Sequence, residues 1–77
     1  MDGQQRLSIP IYDLGCGGAG ATTIERELVA TRGVLRAYVN PATEIAYVDY
    51  DPAETNAPAI ARAIERAGHR AGPPTHV

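Results

Sequence analysis

The sequence predicts an α+β sandwich of element order βαββαβ, in which a four-stranded antiparallel sheet carries two helices on one face. Three observations indicate this fold class. Apolar and polar residues alternate in three segments, as expected of strands with one buried face. Two other segments place apolar residues at the three- and four-residue spacing of amphipathic helices. The connections between these segments are short, so elements that follow each other in the chain pack side by side.

The first half of the chain predicts one strand and one helix. The strand begins at Leu7, and its alternation is interrupted by Pro10, which has no N–H to donate to a neighbouring strand. A glycine-rich segment follows at residues 13–20. A helix is then predicted over residues 21–32, and Gly33 stands where a residue of left-handed conformation commonly ends a helix.

The second half predicts two strands, a helix and a short last strand. Residues 34–40 and 44–50 alternate in polarity and are joined by turn-forming residues, which predicts a β-hairpin. The second helix is predicted to begin after Asn56, a residue suited to capping an N-terminus, and to end at Gly68. Residues 69–71 complete the set as a short fourth strand.

These elements predict one domain at residues 7–71, between an N-terminal tail of residues 1–6 and a C-terminal tail or linker of residues 72–77 in which His76 is free. Their order closes as a ferredoxin-like sandwich with one sheet face open to solvent. The predicted core combines the inward-facing residues of strands and helices: Leu7, Ile9, Ile11, Ile24, Leu28, Leu35, Val39, Val48, Tyr50, Ile60 and Ile64.

Composition and charge argue against several classes of function. The chain has 77 residues, enough for one small core, and its net charge of −2 argues against a nucleic-acid partner. A single cysteine excludes an internal disulfide, which favours a cytoplasmic location. No apolar run approaches a membrane span, so direct membrane contact is not expected. No nucleophile–base set or carboxylate pair has catalytic spacing, so the chain is not expected to be an enzyme.

The glycine-rich segment is the candidate site. It holds four of the eight glycines and the only cysteine, Cys16, just before the first predicted helix. A thiol near a helix N-terminus ionises more easily than a free one, so Cys16 is either a reactive ligand or an inert thiol. The glycines could also cradle a phosphate, but no lysine follows them, which disfavours that interpretation.

The chain resembles the heavy-metal-associated domain of soluble copper chaperones and of the N-terminal modules of metal-transporting P-type ATPases. The resemblance covers about residues 7–71 and rests on five motifs: IPIYDLGC at residues 9–16, Ile24-Glu25 with Leu28, Gly33-Val34, VDYDP at residues 48–52 and IERAGH at residues 64–69. It implies the ferredoxin-like fold and the binding or transport of a soft metal ion.

The glycine-rich segment departs from the metal-binding motif of that family, which holds Cu(I) between the two thiolates of Met-x-Cys-x-x-Cys. Aligned from the first strand, the two thiol positions fall on Cys16 and Ala19. Aligned backwards from Ile24-Glu25, they fall on Gly17 and Gly20. Either alignment leaves at most one thiolate, and the loop is one residue longer than usual.

His69 is a candidate second ligand, because copper chaperones similar to this chain carry a histidine there. A Cys16 thiolate with a neutral His69 imidazole would suit Cu(I), and Zn(II) less well, since zinc usually takes four ligands. Cys16 of a second copy could supply the second ligand instead, giving a metal-bridged homodimer. A His69 that only caps the C-terminal end of the second helix is the other interpretation.

The sequence therefore predicts a domain that binds, carries or senses a soft metal ion, foremost Cu(I), through a one-cysteine site. Its partner would be another protein or a metal-transporting ATPase of which it could be a module. The alternative is a metal-free interaction or regulatory module of the same fold. The open sheet face is predicted to carry Tyr12, Tyr38 and Tyr47. These side chains either form a protein contact surface or line a sheet face that is partly exposed to solvent.

Overall fold

The computed structural model describes residues 4–14 and 19–77. In chain order, its elements are β1 (Gln5–Pro10), α1 (Ala19–Val29), β2 (Val34–Asn40), β3 (Ile45–Tyr50), α2 (Ala57–Arg66) and β4 (Thr75–His76). The strands form one sheet of order β2-β3-β1-β4 in which every pairing is antiparallel. The predicted ferredoxin-like α+β sandwich is confirmed.

The core lies between one face of the sheet and the two helices. Its large side chains are fully buried and come from all the long elements: Leu7, Ile9, Ile11, Ile24, Leu28, Val39, Val48, Ile60 and Ile64. Tyr50 and Ala46 of β3 close the same cluster. The apolar alternation of the strands and the helical spacing therefore predicted the buried face correctly, with one exception.

That exception is Leu35, which was expected in the core and is 50% exposed. The pairing of β2 with β3 shifts between Val34 and Arg36, so that Leu35 sits at an irregularity resembling a β-bulge. Val34 packs against the core in its place. A bulge changes which residues face inward, and strict alternation along one strand gives no sign of it.

Helix α2 follows the capping residues predicted for it, whereas α1 ends at Val29, four residues before Gly33. The side chain of Asn56 accepts a hydrogen bond from the N–H of Ala59 at 3.0 Å, which satisfies one of the free donors of α2. Gly33 and Gly68 adopt φ values of +90° and +93°, in the region that favours glycine. Helix α1 begins two residues earlier and ends three residues earlier than the predicted range of 21–32.

The last strand differs from the prediction. Residues 69–71 form no strand, and Ala71 makes only a single bridge with Ile11. Strand β4 lies at Thr75–His76 instead, paired with Leu7 and Ser8 of β1. The edge of β1 offers free backbone groups, and a two-residue polar strand that pairs with them has no hydrophobic period by which a sequence could reveal it.

The prediction that His76 is free is therefore wrong. Its Nε2 lies 2.8 Å from the hydroxyl of Tyr50, which also donates to Gln5 at 3.2 Å. The backbone N–H of Val77 donates to the carbonyl of Arg6 at 3.1 Å. The residues after Pro74 therefore belong to the sheet.

One charged side chain is buried at the sheet. Asp49 is 5% exposed and pairs with Arg6 on the adjacent strand, with Nε to Oδ1 at 2.6 Å and the second guanidinium nitrogen to Oδ2 at 3.2 Å. The hydrogen bond from Arg6 is the main cause that holds the pKa of Asp49 below its ordinary value of 3.8. A bidentate pair of this kind fixes the register of β1 against β3.

Asp49 is expected to make the stability depend on pH in acid. Because its folded pKa is lowered, its contribution is complete above the ordinary value of 3.8 and is lost as pH falls through the folded pKa. Urea unfolding between about pH 6 and pH 2 should therefore show a shallower loss of stability for Asp49→Asn than for the wild type. Glu54→Gln is the control, because Glu54 pairs with Arg32 at the surface. Parallel curves for the wild type and Asp49→Asn would contradict this expectation.

Candidate metal centre

The candidate site lies where the chain passes from β1 to α1. Leu14 is buried at the end of the first described segment, and α1 begins at Ala19. Cys16, the predicted thiolate ligand, lies outside the described residues. Its position in the chain is bracketed by two described neighbours, Asp13 before it and Gly20 in the first turn of α1.

His69 reaches both of these neighbours. Its Nδ1 lies 3.2 Å from the backbone carbonyl oxygen of Asp13 and 3.6 Å from the carboxylate oxygen Oδ1 of the same residue. The opposite side of the ring faces Gly20, where a β-carbon would come within 3.1 Å of Cε1 and 3.3 Å of Nε2. The His69 side chain is only 16% exposed, so the imidazole is enclosed between the two ends of the glycine-rich segment.

The connection after α2 is fastened to the end of β1 by backbone contacts. The N–H of Tyr12 donates to the carbonyl of Arg70 at 2.9 Å, and the N–H of Gly72 donates to the carbonyl of Pro10 at 2.7 Å. These bonds hold the segment that contains His69 beside the end of β1. They explain why a residue that directly follows Gly68 meets a segment far away in the sequence.

The Asp13 carboxylate strengthens the same connection. Its Oδ1 accepts the backbone N–H of Arg70 at 2.9 Å. That hydrogen bond is the main cause that lowers the pKa of Asp13, and the positive charges of His69 and Arg70 act in the same direction. Asp13 is therefore a carboxylate that stays ionised beside the imidazole.

Sequence reasoning identified His69 but missed Asp13 and Gly20 as its neighbours. From the sequence, Gly20 is a member of the glycine-rich segment and, in the backward alignment, stands at one of the two thiol positions of the family. In the structure it leaves the space that the imidazole fills, because a methyl group there would crowd both the ring and the carbonyl of Leu14. No local signal in the sequence connects either residue with His69.

The donor set in the described part of the chain is small. Within residues 4–14 and 19–77, no three or more His, Cys, Asp or Glu residues are grouped so that they could hold a metal ion. His69 offers one imidazole nitrogen beside the first turn of α1. An ion held here by His69 would need a further ligand, and a thiolate is the donor that Cu(I) prefers.

The sheet face away from the helices carries a second feature. Tyr38 and Tyr47 stack with ring centroids 6.5 Å apart and an interplanar angle of 13°. A groove of about 300 Å³ beside them is lined also by Arg6, Arg36 and Asp49. Tyr12, which had been predicted on the same face, is exposed at the end of β1, and its hydroxyl lies close to Gly72.

Neither helix in the described ranges is long and apolar enough to span a membrane. The large apolar side chains that these helices bury in the core are Ile24, Leu28, Ile60 and Ile64.

Two curated relatives resemble most of the chain. It is 41% identical over 69 residues to the copper-exporting P-type ATPase of Bacillus subtilis, an alignment that covers 90% of this chain and 8% of that protein. It is 44% identical over 73 residues to the probable copper-transporting ATPase PacS of Synechococcus elongatus, covering 95% of this chain and 9% of that protein. The chain thus spans less than a tenth of the length of either relative.

A solved structure matches the whole architecture. It is the Cu(I)-loaded N-terminal domain of a potential copper-translocating P-type ATPase from Bacillus subtilis, with a TM-score of 0.83 at 29% identity. The match covers 90% of this chain and 85% of that one. The family model of the heavy-metal-associated domain matches residues 11–70. The chain therefore belongs to the heavy-metal-associated domain family, whose members are small, non-catalytic metal-binding modules.

Proposed function

We propose that this module binds and carries Cu(I), with Cys16 as its thiolate ligand and His69 as the ligand available within the same chain. The observation that carries the proposal is the placement of the His69 imidazole against Asp13 and Gly20, on both sides of the segment that contains Cys16. The copper ATPases among the relatives support Cu(I) as the ion.

The chemistry of the two groups suits this ion. Cu(I) is soft and prefers sulfur, and an imidazole nitrogen is an acceptable second donor. Cys16 lies in the chain just before α1, where the positive end of the helix dipole favours a thiolate over a thiol. Zn(II) is the less favoured ion, because structural zinc sites are closed by four ligands.

We propose further that two copies share one ion. A single thiolate leaves Cu(I) unsaturated, and a thiolate from a second copy is a softer ligand than the His69 imidazole. Gly15, Gly17 and Gly18 have no side chains that would keep two such segments apart. Ion binding and pairing are then linked by mass action.

This arrangement predicts a distinctive titration. Cu(I) added anaerobically to the reduced protein, against a chromogenic competitor, should saturate at about half an equivalent per chain and raise the apparent mass. Cys16→Ser should abolish both effects, whereas His69→Ala should weaken binding modestly. His76→Ala is the matched histidine control and should bind as the wild type does, because His76 is bonded to Tyr50 at the sheet.

Other outcomes would revise or contradict the scheme. Saturation at about one equivalent without a change of mass would favour the pair of Cys16 and His69 within one chain. Failure to compete with even a weak chelator would contradict both metal schemes. The metal-free interaction module would then be the better description of the domain.

The proposed partner is a metal-transporting ATPase or another copper-handling protein in the cytoplasm. The chain matches the N-terminal domain of one such ATPase over most of its own length. We propose that the domain either forms part of such a pump or exchanges its ion with one.

The stacked tyrosines favour a second candidate function, a protein contact on the open sheet face. Tyr38 is 55% exposed beside Tyr47, which leaves an aromatic surface available to a partner. Arg36 lies at the same groove, where its charge helps to lower the pKa of Asp49. This surface would serve an interaction module whether or not metal binds.

Replacing both Tyr38 and Tyr47 by serine should weaken metal-free self-association and leave the monomer folded. The rings lie on the solvent side of the sheet, so their removal opens no cavity in the core. Sedimentation over a concentration range with a chelator present measures the effect apart from any ion bridge. Tyr12→Ser is the control, an exposed tyrosine outside the stacked pair. A wild type that stays monomeric throughout would contradict self-association through this face.

A further inference from the structure

The two ring nitrogens of His69 have different surroundings. Nδ1 faces two oxygens of Asp13, the backbone carbonyl at 3.2 Å and the carboxylate Oδ1 at 3.6 Å. Nε2 faces the first turn of α1 at Gly20. A carbonyl oxygen only accepts hydrogen bonds, so Nδ1 must be the nitrogen that donates.

A proton on Nδ1 decides the state of the other nitrogen. In a neutral imidazole one nitrogen carries the hydrogen and the other keeps a lone pair. Donation from Nδ1 to Asp13 therefore leaves the lone pair on Nε2, the nitrogen that lies beside α1. Histidines that bind metals are commonly held in this way, with the second nitrogen donating to a carbonyl or carboxylate.

The Asp13 side chain secures this geometry through the backbone. Its Oδ1 accepts the N–H of Arg70 at 2.9 Å, which fixes the peptide next to His69. The same oxygen lies 3.6 Å from Nδ1. Without the carboxylate, the main-chain carbonyl of Asp13 would remain, but the connection that carries His69 would lose one of its attachments.

We propose that Asp13 is the positioning residue of the site: it holds His69 in the tautomer protonated at Nδ1 and presents the Nε2 lone pair to an ion bound at the start of α1. Gly20 supplies the space in which the ring takes this orientation. The ion-binding half of this inference rests on the proposed function, whereas the tautomer does not require any metal.

The tautomer can be measured in the metal-free chain. Long-range ¹H–¹⁵N correlation spectra of the imidazole, recorded at a pH where the spectra themselves show one protonated and one unprotonated nitrogen, separate the two nitrogens. We expect a protonated Nδ1 in the wild type and a shift towards protonated Nε2 in Asp13→Ala. Asp13→Asn should restore the wild-type pattern, because its side-chain oxygen can still accept the Arg70 N–H.

Two further variants distinguish a specific effect of Asp13 on the orientation of His69 from a general effect of removing a side chain. Asp51→Ala is the control, since Asp51 also accepts a hydrogen bond from a backbone N–H, that of Ala53 at 2.9 Å, but lies in the connection between β3 and α2. Gly20→Ala keeps Asp13 intact and crowds the ring, so it should change the His69 signals without loss of the carboxylate. An unchanged tautomer in a folded Asp13→Ala would overturn the proposal.

Cu(I) affinity tests whether the tautomer matters for binding. Asp13→Ala should weaken Cu(I) binding by up to about tenfold, no more than His69→Ala does. In a His69→Ala background it should have no additional effect, because Asp13 acts through the imidazole. An equal loss in both backgrounds would overturn the positioning role.

The outcomes distinguish this inference from the proposed function. One possible result is that the tautomer shifts in Asp13→Ala and that Cu(I) binding requires Cys16 but neither Asp13 nor His69. This result would overturn the claim that Nε2 is presented to the ion, and the role of Cys16 as thiolate ligand would stand. If Cys16→Ser also leaves Cu(I) binding unchanged, the proposed function itself fails. A tautomer shift together with a His69-dependent loss of affinity supports both.

Discussion

Leu28→Ala is expected to lower the free energy of unfolding by about 2–5 kcal/mol, because it removes a fully buried side chain and leaves a cavity. Leu28 lies on the face of α1 that packs into the shared core. A net stability of about 5–15 kcal/mol is typical of small domains, so the change would remove a large part of it. Urea unfolding of the metal-free protein measures the difference.

The neighbouring residue provides the matched control for this substitution. Val29 follows Leu28 on the same helix but is 54% exposed, and Val29→Ala should change the stability by less than about 0.5 kcal/mol. Ile64→Ala repeats the test on α2, where the side chain is also fully buried. Similar losses for Leu28→Ala and Val29→Ala would mean that the inward face of α1 is assigned wrongly.

Gly33→Ala is expected to cost about 2–5 kcal/mol, through backbone strain and steric overlap together. Gly33 has a φ of +90°, and a β-carbon there would lie 2.8 Å from Cβ of Glu54 and 2.9 Å from side-chain atoms of Thr55. The overlap involves atoms close to the backbone, which cannot move aside as the end of a flexible side chain can. The connection between α1 and β2 would have to shift.

Gly68→Ala separates the two causes. Gly68 has nearly the same backbone conformation, with a φ of +93°, but a β-carbon there would meet no atom within 4 Å. Its replacement should cost only the strain of the left-handed conformation, about 1–2 kcal/mol. Thermal unfolding of both variants should therefore give a lower Tm for Gly33→Ala. Equal values would contradict the close packing of Gly33 against Glu54 and Thr55.

Several elements could be predicted because their signals lie within a few residues of one another. The cap at Asn56 depends on an N–H three residues away, and the helix-ending role of Gly68 depends on its own φ. The buried faces of β1 and β3 follow from strict alternation. The exposed position of Leu35 could not be predicted this way, since the irregularity depends on pairing with another strand.

The candidate site also contains features that the sequence could predict and features that depend on long-range contacts. Cys16 and His69 could be named as candidate ligands from the sequence, because single residue types and a family resemblance identify them. The role of Cys16 stays a prediction. The contact of His69 with Asp13 joins residues 56 positions apart, and no period or local motif encodes a contact of that kind.

The amino-acid sequence alone thus determined the first three strands and both helices, the main core faces and the identity of the one thiol. The tertiary structure decided which residues surround His69, because the packing of the chain after α2 against the end of β1 brings Asp13 and Gly20 to the ring. It likewise decided that His76 joins the sheet, since its partners lie on β1 and β3. Each of these depends on long-range contacts, which form only when the whole core closes.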